Sequence, residues 1–396
     1  MNIAVPREIT PGEKRVGLIP EVIARLVKDG HSVAVEPGAG ERAGFSDDAY
    51  RTAGASIARD VTSLYAAADV TIKVQRPIRH ERLGMHEVDL LRPGSALLGL
   101  LSPRSNAELL RHLAEREITA VALELVPRIT RAQMMDVLSS QSTVAGYKAA
   151  ILAANSVLRF FPLLMTAAGT IRPSKVLVIG AGVAGLQAIA TARRLGAVVE
   201  AFDTRPVVKE QVQSLGASFV ELDVSAAEAQ DAGGYAKELA DDHIRREKEL
   251  IHEHASTSDA VITTALVPGR RAPVLISEAT VMAMRPGSAI VDLAAEQGGN
   301  CELTVPGETV VRHGVTIVAP LHLPSELAHD ASQMYSRNVA ALLKHLAPDG
   351  TLTVDLSDEI TGAVCVTADG EVRLDPTTGS VSPEPKTASP ATKVKT

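Results

Sequence analysis

Short apolar runs alternate along this chain with stretches whose apolar residues recur every three or four positions. Ile3-Ala4-Val5, Val33-Ala34-Val35, Val70-Thr71-Ile72-Lys73-Val74, Ala96-Leu97-Leu98-Gly99-Leu100 and Ala120-Val121-Ala122-Leu123 read as β-strands. Between them, 20–28, 60–67 and 106–115 carry helical periodicity. A long helix over roughly 142–158 leads into a second series of apolar runs at 175–179, 198–202, 218–220, 260–263, 289–292 and 315–318. Runs that are apolar at consecutive positions belong to parallel sheets covered by helices on both faces. The expected fold class is therefore α/β, with two Rossmann-like parallel-sheet domains and a cleft between them. The first is expected over 1–140, completed by a helical segment at about 325–375, and the second over 141–324. Residues 376–396 are mostly Pro, Ser, Thr, Gly, Ala and Lys and are expected to form a disordered tail.

The second domain opens on the most informative stretch of the chain. Lys175-Val176-Leu177-Val178-Ile179 is followed by Gly180-Ala181-Gly182-Val183-Ala184-Gly185 and then by an amphipathic helical pattern. In a G-x-G-x-x-G turn between strand and helix, Gly180 allows the sharp turn and Gly182 lets backbone approach a pyrophosphate. Gly185 lets the helix pack tightly on the sheet. The phosphates then sit at the helix N-terminus, where N–H groups and the dipole favour anions. The next strand, Val198 to Phe202, ends in Asp203, 21 positions after Gly182. That is where a carboxylate accepts the adenosine ribose hydroxyls. Asp203 favours NAD(H) over NADP(H), because it repels a 2′-phosphate; Arg205 nearby acts in the opposite sense.

Composition narrows the class. A chain of 396 residues suits two domains. With no Trp and 3% aromatic residues, the cores must be built from Ala, Val, Leu and Ile. A net charge of −7 and the absence of a long basic cluster argue against a nucleic-acid partner. The opening Met-Asn-Ile-Ala-Val-Pro reads as a strand and not as a signal peptide. The most apolar stretch, 144–169, is broken by Lys148, Asn155, Arg159 and Pro162, so it reads as a buried helix and not a membrane span. Cys301 and Cys365 form no C-x-x-C, which argues against metal and redox roles and fits an intracellular location.

Three further segments carry candidate chemistry. Arg128, Gln133 and Asp136 lie in a polar stretch between a strand and the long helix, where side chains can hold a carboxamide and a ribose; the plainer reading is capping by Thr130, Ser139 or Ser142. Thr264, Ala265 and Leu266 follow another strand, and small residues there let a nicotinamide or ribose approach. Gly233-Gly234-Tyr235 precedes a highly charged helix and reads as a mobile loop or as an ordinary helix start. His252 and His254 are two apart, so they do not share a helix face, and no metal site is expected there. Asp292, at a strand end, reads as polar lining or as a buried cap.

These stretches together resemble the NAD(H)-binding component, domain I, of the proton-translocating nicotinamide nucleotide transhydrogenases. The resemblance runs from Met1 to about Pro376. It is carried by RAQMMDVLSSQSTVAGY (131–147), MTAAGT (165–170), GVAGLQAIATARRL (182–195), GGYAKE (233–238) and ITTALVPG (262–269). It implies that Arg128, Gln133 and Asp136, with Ser139 beside them, hold the dihydronicotinamide. It implies nucleotide contacts at Gly180, Gly182, Val183 and Gly185, at Asp203, Thr204 and Arg205, and at Thr264, Ala265 and Leu266. A mobile loop at Gly234 and Tyr235 closes over the nucleotide. Where related chains place a glutamine that contacts the nucleotide, this chain has Glu247.

The implied activity is direct hydride transfer from NADH to NADP⁺ held by a partner. That partner is a membrane-embedded subunit with its own NADP(H)-binding domain, in which protons are translocated. The chain itself is then a homodimer, cytoplasmic and peripherally associated with the membrane through its partner. Alanine dehydrogenases share the opening pattern Pro6, Arg7, Glu8, Arg15 and Val16 and form the main alternative, beside a non-enzymatic NAD-sensing module. Alanine dehydrogenases use a lysine in a K-V-K-E-P run and a histidine in an L-H-L-A run. Here those positions carry Gln75 and Ser102. Neither can move the proton or bind the substrate carboxylate as a cation.

Overall fold

The computed structural model describes residues 1–221, 236–266 and 271–374, with 236–243 described by their backbone alone. The chain divides into two compact units, one made of 1–141 with the segment from 325 onward, the other of 142–324.

In the first unit, β1 (Asn2–Val5), β2 (Ser32–Val35), β3 (Ser56–Ile57), β4 (Val70–Gln75), β5 (Ala96–Leu100) and β6 (Thr119–Ala122) form a parallel sheet. Their order is β6-β5-β4-β1-β2-β3. The helix α1 (Pro20–Lys28) begins with proline at its first position, where a missing N–H costs nothing, and buries Val22, Ile23 and Leu26. The helix α2 is Ala107–Glu115.

The long helix α3 (Val137–Ser156) carries the chain from one unit into the other. It begins five residues before the start that the periodicity predicts. The cause is Asp136, whose Oδ1 accepts the Ser139 N–H at 2.9 Å and so caps the helix one turn early.

In the second unit, β7 (Lys175–Ile179), β8 (Val198–Phe202), β9 (Ser218–Val220), β10 (Ala260–Thr263), β11 (Ala289–Asp292), β12 (Thr309–Arg312) and β13 (Val315–Val318) line up as β9-β8-β7-β10-β11-β13-β12. All pairings are parallel except β12 with β13. Helices α4 (Val183–Arg194) and α5 (Ala236–Ser256) belong to this unit. Ala149, Ala150, Ala153, Ala188, Ala192 and Ala201 are fully buried, so small side chains let helices and sheet approach closely where aromatics are scarce.

The chain then returns to the first unit. Helix α6 (Ala328–Leu346) buries Tyr335, Val339, Leu342 and Leu343 in that unit's core, and the Tyr335 hydroxyl donates to the Lys73 carbonyl at 2.6 Å. After α7 (Glu359–Val364), β14 (Cys365–Ala368) pairs antiparallel with β6, and β15 (Glu371–Val372) extends the sheet. The segment expected to be helical thus also supplies two strands.

Candidate functional site

At the carboxyl end of β7 the three glycines have separable reasons. Gly180 has φ +95°, and a Cβ there would lie 2.5 Å from Thr264 Oγ1. A Cβ on Gly185 would lie 1.8 Å from the Gly180 carbonyl oxygen. Packing alone therefore dictates glycine at both. A Cβ on Gly182 would meet no atom within 4 Å. The space over Gly182 is open, which is the room a pyrophosphate needs. Gly182 is also the N-cap of α4 and offers no side-chain cap, so the first-turn N–H groups stay available to an anion. Val183 is partly exposed at the first helical position. Gly146 carried no signal of its own: a Cβ there would lie 2.1 Å from the Ala184 carbonyl oxygen, so α3 crosses the start of α4 in contact.

Asp203 lies just past β8, beside this turn. Its Oδ2 accepts the Ala181 N–H at 2.7 Å, and its Oδ1 accepts the Arg205 N–H and Nε–H, both at 2.9 Å. Arg205 Nη2 adds a bond to Oδ2 at 3.0 Å. Burial pushes the carboxyl up, but the bonds from Arg205 and Ala181 outweigh it and hold the group below the usual carboxylate range. The carboxylate that the sequence assigns to a ribose is thus already engaged. A ribose diol competes with the Arg205 side chain, the exposed member of the pair. Thr204 is exposed beside them.

The loop after β10 abuts the same turn, since Thr264 Oγ1 donates to the Gly180 carbonyl at 3.0 Å. Asn300 holds the loop from behind: its Oδ1 accepts the Ala265 N–H at 3.1 Å and its Nδ2 donates to the Ala265 carbonyl at 2.9 Å. Asp292 is buried and accepts from the Thr263 and Thr304 hydroxyls and from the Ala294, Asn300 and Cys301 N–H groups. It is an anchor for these loops and not lining. Nothing in the sequence singled out Asn300, which stands in no motif. Leu266 is exposed, while 267–270, Gly234 and Tyr235 lie outside the described residues. His252 bonds Thr280 and His254 bonds Glu200, so the two imidazoles serve different neighbours.

In the first unit, Thr130–Met135 forms a 3-10 turn that buries Ala132 and Met135. It is pinned from the C-terminal segment: Asn338 Nδ2 donates to the Met134 carbonyl at 2.8 Å, and Arg131 pairs with Asp358 at 2.8 Å. Asp358 also caps α7 and bonds His345 at 2.8 Å. Arg128 and Gln133 are exposed, and their side chains have no hydrogen-bond or ionic partner among the described residues. Asp136 and Ser139 are joined, Ser139 Oγ donating to Asp136 Oδ2 at 2.5 Å. The turn is thus rigidly held yet presents two free polar side chains, the arrangement of a preorganised binding loop.

A buried cluster lies where β1 and β4 end. Arg15 donates to both Glu13 oxygens, at 2.8 and 2.6 Å, and to Gln141 Oε1 at 2.7 Å. Gln75 Nε2 donates to Glu13 at 2.8 Å, and the Ser325 hydroxyl donates to it as well. Burial raises the Glu13 pKa, but the Arg15, Ser325 and Gln75 bonds overcome it and bring it down from 4.5 to about 2. That shift corresponds to about 3 kcal/mol of stability. It is complete above about pH 4.5 and is lost as pH falls towards 2. Glu13→Gln is expected to lower stability at pH 7, because it leaves Arg15 buried without its counter-charge. The variant should also flatten the loss of stability between about pH 5 and pH 3 in urea unfolding. An unchanged acid slope would show that Glu13 does not carry this dependence.

Family models for the N-terminal and C-terminal domains of alanine dehydrogenase/PNT match residues 4–145 and 149–375. The chain belongs to the alanine dehydrogenase/PNT family. It is 50% identical over 375 residues to the first of the separate chains that make up the NAD(P) transhydrogenase alpha subunit of Rhodospirillum rubrum, covering 94% of this chain and 97% of the relative. The crystal structure of transhydrogenase from Sinorhizobium meliloti superposes with a TM-score of 0.84 at 40% identity, over 94% of this chain and 100% of the other. Alanine dehydrogenase of Bacillus subtilis is 29% identical over 94% of this chain and 92% of its own length. Family membership agrees with the two parallel-dominated sheets and supports an oxidoreductase-related role with NAD(H) as the nucleotide. No helix among the described residues is long and apolar enough to cross a membrane.

Proposed function

We propose that this chain is the NAD(H)-binding subunit of a proton-translocating transhydrogenase. It binds NADH and gives its hydride to NADP⁺ held on a membrane-embedded partner subunit, in which protons are translocated. Hydride passage between two nicotinamides moves no proton, so the chain needs no general acid or base. It needs to bind, orient and keep water out.

The observation that carries this reading over an amino-acid dehydrogenase is the Glu13–Arg15–Gln75 cluster. Arg15 is matched by Glu13, and Gln75 supplies an amide where the dehydrogenase lysine stands. The cluster has no net charge, so no spare cation remains to hold a substrate carboxylate. The open space over Gly182 and the exposed N-terminus of α4 fit a pyrophosphate. In this reading Gly180, Gly182, Val183 and Gly185 take the phosphates, and Asp203, Thr204 and Arg205 take the adenosine ribose. Thr264, Ala265 and Leu266, with Gly234 and Tyr235, cover the nucleotide. Arg128, Gln133, Asp136 and Ser139 orient the dihydronicotinamide.

The test is to mix the purified chain with a transhydrogenase NADP(H) domain and follow transfer from NADH to an NADP⁺ analogue. Turnover of alanine without any partner would overturn the reading. The Rhodospirillum relative is named as only a portion of an alpha subunit, which implies further chains. This chain is proposed to be a homodimer attached peripherally to the inner face of the membrane through its partner. Sedimentation should give twice the monomer mass at micromolar concentration; a monomer would remove that claim.

Cofactor choice gives another check. Asp203→Ala is expected to narrow the preference for NADH over NADPH, since it removes both a ribose acceptor and a charge that opposes a 2′-phosphate. Equal affinity of the unaltered chain for the two nucleotides, in a direct titration, would refute the role of Asp203.

A further inference from the structure

Strands β4 and β5 are neighbours in the first sheet, and the chain leaving their carboxyl ends borders a cavity of about 670 Å³. That size is in the range of small-molecule sites, and the carboxyl edge of a parallel sheet is where such sites form. Arg76 and Arg79 both line the cavity. Arg76 has no hydrogen-bond or ionic partner among the described residues, and Arg79 donates only to the Gly84 carbonyl, at 2.7 Å. Two guanidiniums in one hollow without a carboxylate between them repel each other unless an anion joins them.

The remaining polar wall has the same sense. His86 accepts the Val88 N–H on Nδ1 at 3.2 Å, so its neutral form carries the proton on Nε2 and is a donor there. His112 lines the wall 5.2 Å from the His86 ring and bonds Asp89 at 2.8 Å, which commits that carboxylate. Glu108, the one acid among the lining residues, lies 3.9 Å from Arg111. At the start of α2 the Asn106 amide donates to the Leu101 and Ser102 carbonyls and caps no first-turn N–H, so those donors add to the positive side of the cavity. Ile78 and Leu109 supply an apolar face. None of these residues takes part in the nucleotide and nicotinamide roles proposed above.

We propose that this cavity binds a small organic phosphate, with Arg76 and Arg79 on the phosphate and the Ile78–Leu109 face against its organic part. Arginine pairs suit phosphate because the planar fork gives bidentate, charge-assisted bonds.

The test is calorimetric titration of the full chain, saturated with NADH, with ribose 5-phosphate, inorganic phosphate and ribose. Ribose 5-phosphate should bind saturably, inorganic phosphate more weakly, and ribose not at all. Arg76→Ala and Arg79→Ala should each weaken the ester by about tenfold or more while leaving NADH affinity and melting temperature unchanged. Both side chains are exposed, so the variants fold. Equal affinity for inorganic phosphate would overturn the ester assignment. Absence of saturable binding, or binding that both variants retain, would overturn the site. Neither outcome touches the transhydrogenase reading, which the hydride-transfer assay tests separately.

Discussion

Gln133→Ala is expected to slow hydride transfer to an NADP⁺ analogue by on the order of a hundredfold while NADH affinity stays within about threefold. The size follows from what a small displacement of a reacting ring costs: about 1 Å of misplacement removes on the order of a hundredfold in rate. The separation from binding follows because phosphates and ribose carry most of the affinity, whereas a carboxamide contact sets the ring's pose. Gln133 is a clean probe because it is exposed and has no side-chain partner among the described residues, so its truncation leaves the fold alone. Asp136 is not clean. It caps α3 through the Ser139 N–H, and its removal would cost about 1 kcal/mol whatever its role toward the nucleotide. Stopped-flow transfer with the NADP(H) domain, beside an NADH titration, reads both quantities. Unchanged transfer would return the 130–135 turn to a purely structural role.

The parts of this molecule that were legible in its sequence are those where one residue type has one reason. Consecutive apolar runs became parallel strands because buried strands have no solvent face to mark with polar residues. Pro20 marked the start of α1 for the same kind of local reason. The helix start at Val137 was misplaced because Ser139, Ser142 and Asp136 are all competent caps, and only the packing of Met135 and Ala132 beneath the turn selects Asp136. Strands β14 and β15 escaped notice because they are short and β14 contains Thr367, which looks polar but bonds the Ala120 N–H and the Ile118 carbonyl. At the site, Asp203 was found through spacing, yet its pairing with Arg205 was not, because a bidentate contact two residues away has no periodic signature. Asn300 and Asp358 were invisible for a further reason. Each acts on a loop distant in sequence, Ala265 in one case and Arg131 in the other, and only the fold brings them there.

Gly182→Ala should abolish measurable NADH binding, a loss of about a hundredfold or more, while the melting temperature shifts by less than about 2 °C. Gly182 has φ −76° and ψ −168°, a conformation any residue adopts, so alanine brings no backbone strain. Its new Cβ would meet no atom within 4 Å, so the folded chain accepts it. The only thing it displaces is whatever approaches the turn from outside, and a methyl group there fills the space that a pyrophosphate takes up. Gly185→Ala makes the opposite prediction. Its Cβ would lie 1.8 Å from the Gly180 carbonyl oxygen, and forcing α4 off the sheet costs about 1–3 kcal/mol or more, a fall of about 5 °C. The pair of variants separates a glycine kept for a ligand from a glycine kept for the fold, although both belong to the same six-residue pattern. Thermal melts and NADH titrations of the two proteins decide the matter. A Gly182→Ala chain that binds NADH as tightly as the unaltered one would remove the pyrophosphate from this turn, and with it the assignment of the second unit as the nucleotide fold.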